Sequence, residues 1–540
     1  MKIKMKRLSG KYLPLFISLA VILSGCQTAA STKEATATSK NDEQVTPGGE
    51  LTFALSIALT NGILDPHRTS SPQNSRIMRS IFDSLIVELP DHTFKPWLAT
   101  SWEISPDQKS YTFTLRQDVL FHDGTPFNAE AVKFNFERIN TVEAPGVAKN
   151  NIGPFQSVEV LDPYKVRINF TKPFAPFLRN LSSENLGIVS PEAVKKYGDK
   201  FYNNPVGTGP FKFVKLTEGT EYVLQKNPAY NWAPANAKHQ GPAYLDKLVF
   251  KVITEEATRV GVLQSGDVKA ADIIPPPNMA AIKADPRFQV QEAELLNYNA
   301  AIHINNTKAP WDNVKLREAL RLSLDIDKIV KTVYLGTFPR AWSSISPSIF
   351  GYDPSLEKKW KSDPAQAGQI LDDLGWKKGA DGIRVKDGKR LTVDMIDFYA
   401  NRERRMDVMA IVQNQWKQAG IELKISSLSV GAYTERSNSG DYDIWIGSQY
   451  GADPDVYRVV NKNSRFKDPE LDTLLDAGYA ELDDAKRKDI YQKVQNLLFD
   501  KAYTIPIYVF PYSVASVKEL KGLPFDAHGF PLFYDAWLKK

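Results

Sequence analysis

The chain has 540 residues, 42% of them hydrophobic and 24% charged, with 27 Phe, 22 Tyr and 10 Trp. That length exceeds one ordinary core and suits two or three domains, and that much apolar and aromatic surface excludes wholesale disorder. Lys and Arg number 68 against 63 Asp and Glu, a formal +5 that would point to nucleic acid or a membrane surface if it were spread over the folded body.

The excess is concentrated at the front. Lys2, Lys4, Lys6, Arg7 and Lys11 stand without an acid among the first 25 residues, and an apolar run follows from Tyr12 to Leu23. A basic segment and then an apolar one too short to span ~30 Å of hydrocarbon reads as a secretory signal over residues 1–25. Removing those five from the 68 Lys and Arg leaves 63 bases for 63 acids, so the exported chain is formally neutral and no nucleic-acid partner is expected. The run ends Leu23-Ser24-Gly25-Cys26, which resembles the lipobox of bacterial lipoproteins. The resemblance implies cleavage before Cys26 and a diacylglycerol thioether on its sulfur, the two-chain minimum for stable anchoring. Cys26 is the only cysteine, so a disulfide within the chain and thiol catalysis are both excluded. Residues 26–47, rich in Ser, Thr, Ala and charge, bury too little to order themselves and read as a tether. Nothing later has the length and apolarity of a membrane-spanning helix. The expected location is the extracytoplasmic face of a cell membrane, held by lipid.

In chain order, Leu51, Phe53 and Leu55 alternate as a first strand, followed by the loop Thr60-Asn61-Gly62. Tyr111, Phe113 and Leu115 form another strand, and His122-Asp123-Gly124-Thr125-Pro126 a turn. Asn128 is placed to cap a helix carrying Val132, Phe136 and Ile139 on one face, and Ser190-Pro191-Glu192 starts a second. Val206-Gly207-Thr208-Gly209-Pro210 lacks the third Gly of a dinucleotide fingerprint and the Lys of a P-loop, and reads as a tight turn. Val408, Ile411, Val412 and Trp416 line a helix that stops near Gly420, and a strand follows from Ile421 to Ile425. Helices and strands alternate throughout, which argues α/β, with no fixed-period repeat.

Catalytic and metal motifs are missing. The six histidines, His67, His92, His122, His239, His303 and His528, form no HExxH, and there is no GxSxG elbow. Neither an enzyme activity nor a cofactor or bound metal is expected. Arg402, Arg404 and Arg405 are the densest basic cluster in the body, open to two readings: a solvated helix start or a clamp on a ligand carboxylate.

Leu98-Ala99-Thr100-Ser101-Trp102-Glu103, Tyr111 to Arg116, and Val119 to Glu130 with its Phe-His-Asp-Gly-Thr-Pro core resemble, in order and spacing, the signature region of the solute-binding proteins of bacterial ABC importers, in the family serving peptides and nickel. Gly207 to Phe211, Asn227 with Tyr230 and Trp232, Leu263 to Asp267, Val314 to Leu320, Ala367 to Trp376 and Asp443 to Asp455 extend the likeness over about residues 48–535. The resemblance implies a two-lobed periplasmic-binding-protein-like fold (type II) with an inserted domain and a hinge. Lobe I would comprise residues 48–79, 200–295 and 510–540, the inserted subdomain 80–199, and lobe II 296–509. It further implies a monomer that captures a peptide or peptide-like solute and delivers it to permease subunits served by cytoplasmic ATPases.

By the same resemblance, Thr60, Asn61 and Gly62 would offer backbone groups to an extended peptide, as suits a broad-specificity binder. Gln449, Tyr450, Gly451, Asp453 and Asp455 would form the second-lobe loop at the ligand, Tyr450 taking its aromatic position. Tyr399, Arg402 and Arg404 complete the candidate ligand contacts. Two departures bear on cargo. Dipeptide binders of the family carry an Asp where this chain has only Gly451-Ala452, and an Arg where it has Asp397, so the usual clamp on both peptide termini is missing. The nickel proteins' His aligns with Asp455, and their preceding Arg has no counterpart near Asn185. The same fold binding a metal chelate, opine or glycoconjugate, or serving a ligand-sensing receptor, remains an alternative.

Overall fold

The computed structural model describes residues 44–59, 64–69, 74–142, 146–398 and 402–540. The expectations for Cys26, Thr60, Asn61, Gly62 and Tyr399 fall outside the described residues. No helix among the described residues is long and apolar enough to cross a membrane.

The first strand forms where the Leu-Phe-Leu alternation places it, at Glu50–Leu55. It sits inside a seven-stranded sheet ordered Phe288–Glu294, Pro511–Val517, Ala270–Asp272, Glu50–Leu55, Lys247–Val252, Glu221–Lys226, Phe211–Thr217, parallel to both of its neighbours. Both faces of this strand are covered, as central parallel strands require. Leu51, Phe53 and Leu55 enter the main core, while Ala54 faces a separate cluster with Val260, Leu263, Met279 and Ile282 from the helices Glu256–Ser265 and Pro276–Ala284.

A second, five-stranded sheet runs Glu422–Ser427, Thr392–Asp397, Ile444–Tyr450, Asn297–Ile304, Thr504–Tyr508. A third, antiparallel sheet of Ala99–Ile104, Ser110–Leu115, Lys165–Phe170 and Phe155–Asp162 carries the signature segment. The chain passes between the two large sheets at Leu295-Leu296, joining strand Phe288–Glu294 to Asn297–Ile304. It passes again at Val509-Phe510, joining Thr504–Tyr508 to Pro511–Val517. Two short crossings joining two sheets are the structural form of a hinge.

Local signals resolve as read. The Asn128 side chain accepts from the Ala131 N–H at the start of Ala129–Thr141, whose Val132, Phe136 and Ile139 are buried. Ser190 accepts from the Ala193 N–H with Pro191 in the first helical position. Each such cap is worth about 1 kcal/mol. Helix Arg405–Ala419 buries Val408, Val412 and Trp416 and ends on Gly420 in the left-handed conformation, φ +87°, which glycine adopts without steric penalty.

Segment 206–210 differs from its reading as a tight turn. Gly207 and Gly209 have no positive φ; they let this segment lie directly against the end of helix Ser75–Ile81, where the Gly209 N–H donates to the Ile81 carbonyl at 2.9 Å. Close backbone approach, rather than turn geometry, is what selects glycine there.

Candidate functional site

Parallel strands gather functional groups beyond their carboxyl ends, because the loops leaving neighbouring strands converge there. Ser56 follows strand Glu50–Leu55 directly, and Asp272 ends the adjacent parallel strand. In the other lobe Thr392–Asp397 leads toward Arg402–Arg404, and its parallel neighbour Ile444–Tyr450 ends in Ser448, Gln449 and Tyr450. A cavity of about 530 Å³ lies between these ends. Leu295 and Phe510, one from each crossing, form part of its wall, so it sits at the hinge.

The cavity is amphipathic, with an excess of cations. Among the described residues its walls carry four arginines, Arg76, Arg259, Arg402 and Arg404, against two glutamates, Glu256 and Glu403. Aromatic surface comes from Tyr334 and Phe338, whose rings stack at 4.2 Å, and from Tyr450 beside Phe530 at 5.6 Å.

Of the sequence candidates, Arg402, Arg404, Gln449 and Tyr450 line the cavity. Arg405 does not fit a solvated helix start: it is 3% exposed and donates to Glu403 at 2.9 Å and to Ser448 Oγ at 2.9 Å. Burial alone would raise the Glu403 carboxyl, but the charges of Arg405 and Arg402 and a hydrogen bond from Tyr508 outweigh it and hold the group ionised. Glu403 and Arg404 both adopt positive φ, +55° and +57°. Two successive non-glycine residues in that region cost on the order of 1–3 kcal/mol each and persist only where surrounding bonds fix them. The Glu403 carbonyl accepts from Tyr334 at 2.7 Å and its carboxylate from Tyr508 at 2.7 Å, which pins this turn with Arg402 and Arg404 toward the cavity.

Gly451, Asp453 and Asp455 are not among the cavity-lining residues. A Cβ on Gly451 would stand 2.7 Å from Val456 Cβ, so its role is packing. Asp453 is buried between Arg487, at 2.8 and 2.6 Å, and Arg179, at 3.2 Å. Asp455 precedes helix Val456–Ser464 and is engaged by Arg458 and by the Tyr491 hydroxyl at 3.3 Å each; burial pushes its pKa up to about 7. Asp453 is drawn from the cavity by arginines remote in sequence, a signal its local Asp-Pro-Asp spacing does not contain, and Asp455 is held by Arg458 three residues on and by the remote Tyr491.

Arg76, Arg259, Glu256, Tyr334 and Phe530 were absent from the sequence candidates. The only sequence signal near them was positional: Ser56 and Asp272 close adjacent strands, the place where parallel sheets hold ligands.

Tyr450 belongs to the five-stranded lobe, yet its hydroxyl is 3.3 Å from Nδ1 of His528, in the final segment of the chain. Burial raises its pKa well above that of an ordinary tyrosine, so it stays a neutral hydrogen-bonding phenol. Tyr450→Ala is expected to weaken solute binding about fivefold or more, while Tyr450→Phe keeps the ring and most of the affinity. Titration calorimetry of both variants checks this, and an unchanged dissociation constant for the Ala variant would place the aromatic contact elsewhere.

A cavity walled by two hinged lobes and lined from both defines a protein that encloses a small solute. Residues 93–465 match the family model described as bacterial extracellular solute-binding proteins, family 5 middle, and the chain belongs to that family. It is 28% identical over 453 residues to a probable D,D-dipeptide-binding periplasmic protein of Escherichia coli strain K12, covering 79% of this chain and 82% of the relative. It is 30% identical over 484 residues to heme-binding protein A of Haemophilus influenzae, covering 82% and 83%. Among solved structures, NikA from Brucella suis in complex with Fe(III)-EDTA matches 91% of this chain and 100% of its own with a TM-score of 0.80 at 25% identity. The type II fold implied by the sequence resemblance is thereby shown.

Proposed function

We propose that the protein is an extracytoplasmic, lipid-anchored solute-binding protein of an ABC importer that encloses a peptide or peptide-like solute between its lobes and presents it to a membrane permease. The observation that carries this reading is the hinge cavity, whose volume falls in the range of small-molecule sites and whose walls come from both sheets. A solute that touches both walls favours the closed form by its differential affinity for that form. The lobes would follow the boundaries 48–79, 200–295 and 510–540 for lobe I and 296–509 for lobe II, with 80–199 inserted. The three main sheets draw their strands from these segments. Cys26 would carry the anchor and residues 26–47 the tether.

One observation favours a second reading, a non-peptide anionic solute such as a metal chelate. Neither Asp453 nor Asp455 faces the cavity to receive a free amino terminus. Mass spectrometry of solute retained by the full-length protein, followed by calorimetry with mixed tri- to hexapeptides, decides between them. Peptide masses and peptide binding are the expected result. Tight binding of another solute class with no peptide binding would overturn the peptide claim.

A further inference from the structure

Arg76 lies in helix Ser75–Ile81, all of whose residues are buried, and is itself 2% exposed while forming part of the cavity wall. Its Nη1 donates to the Asp272 carboxylate and, at 3.4 Å, to Ser56 Oγ, and its guanidinium lies 4.7 Å from the centre of the Tyr512 ring. Asp272 is heavily subscribed. Its other oxygen accepts from the Ser56 N–H at 2.6 Å, and the oxygen shared with Arg76 accepts from the Tyr512 hydroxyl at 3.1 Å. The Arg76 Nε is buried and has no hydrogen-bond acceptor among the described residues.

Arg259, also 2% exposed, spends its guanidinium on the carbonyls of Asp272, Ile253 and Ile273 at 2.9–3.0 Å and on none of the carboxylates. Two buried guanidiniums therefore share Asp272 on this wall, with Glu256 paired at 3.5 Å to Arg404 of the opposite wall. Arg404 repeats the pattern: its Nε too is buried without an acceptor among the described residues. A buried N–H left unpaired carries the full cost of its desolvation, greater for a charged group. Guanidinium groups offer donors only, so the solute group that suits arginines on facing walls is one rich in lone pairs, and the local surplus of positive charge favours that group being ionised.

Resting on the reading of the cavity as a solute site, we infer that Arg76 is an anion receptor on the wall of the seven-stranded lobe, and that the solute carries a carboxylate or equivalent oxyanion which pairs with it. Asp272 and Ser56 hold Nη1 and so position the guanidinium, whose remaining donors are left for the solute. Arg404 offers a second donor edge from the other lobe, so the anion is read by groups that meet only when the lobes are together.

The test uses the full-length protein in detergent and two probes, a pool of tri- to hexapeptides without acidic side chains and the same pool amidated at its carboxyl ends. Calorimetry should show the free-acid pool binding about tenfold more tightly than the amidated pool. Arg76→Lys keeps the charge and can still pair with Asp272 but lacks the planar fork of further guanidinium donors, and should remove most of that preference with little change in the thermal midpoint. Equal binding of the two pools by the unmodified protein, or an undiminished preference in Arg76→Lys, overturns the anion receptor. If neither pool binds, the peptide reading falls and ferric EDTA becomes the probe. Binding that drops about tenfold in Arg76→Lys then supports the receptor; no binding, or equal binding by the variant, overturns it.

Discussion

Asp453→Ala is expected to destabilise the protein by about 3–5 kcal/mol, the cost of stranding a buried charge by removing its partner. Arg487 meets both oxygens of Asp453, at 2.8 and 2.6 Å, and is itself 2% exposed. Arg179 approaches at 3.2 Å from helix Phe177–Leu181 but also holds Glu88 at 2.9 Å, so Arg487 loses the most. Among the described residues its remaining hydrogen-bond acceptor would be the Gly478 carbonyl, 2.9 Å from its Nε. Burial alone would raise the Asp453 carboxyl, but the two guanidiniums outweigh it and hold its pKa below the usual 3.8. The stability it supplies is therefore present above pH 3.8 and lost as pH falls through the lowered folded-state value. Thermal unfolding measures the effect. A variant with an unchanged midpoint and lost solute binding would return Asp453 to the list of ligand contacts.

Gly207→Ala carries the second large effect, an expected loss of about 3 kcal/mol, the upper part of the range for overpacking. The added Cβ would stand 2.2 Å from the Ile81 carbonyl oxygen and 2.6 Å from Phe82 Cδ1. Relief requires moving segment 206–210, and that segment is tied on every side. Gly209 donates to Ile81 at 2.9 Å, the His122 N–H donates to the Gly207 carbonyl at 2.9 Å, and Thr208 and Trp232 both reach Asp83 at 2.9 Å. Gly261→Ala serves as the contrast. It sits within helix Glu256–Ser265, and nothing lies within 4 Å of the Cβ it would gain. There alanine should stabilise by up to about 1 kcal/mol through helix propensity. Equal midpoints for the two variants would mean that the Gly207 contact yields without cost.

The features legible from the chain alone are those whose partners lie close in sequence. Asn128 reaches the N–H of Ala131 and Ser190 that of Ala193, each three residues on. Gly420 closes a helix whose buried Val408, Val412 and Trp416 recur at helical spacing. The second-lobe loop was partly legible. Gln449 and Tyr450 line the cavity, but Gly451 packs on Val456, and Asp453 and Asp455 turn to arginines. The two glycines of 206–210 were visible as a motif, yet their purpose depended on Ile81, more than a hundred residues earlier.

By itself the sequence determined that five bases among its first eleven residues account for the whole formal charge, and it determined the caps and amphipathic faces of individual helices and, through the order of its motifs, the family and its two-lobed fold. Only the tertiary structure decided which charges face the cavity. Asp453 finds Arg179 across 274 residues and Arg76 finds Asp272 across 196, and neither pairing leaves a trace in local spacing. The physical reason is one of range. A cap or a helix face is satisfied within a turn or two of chain, so its pattern is written there. A buried charge is satisfied by whatever the packing of sheets and crossings brings beside it, and that is settled by the whole fold at once.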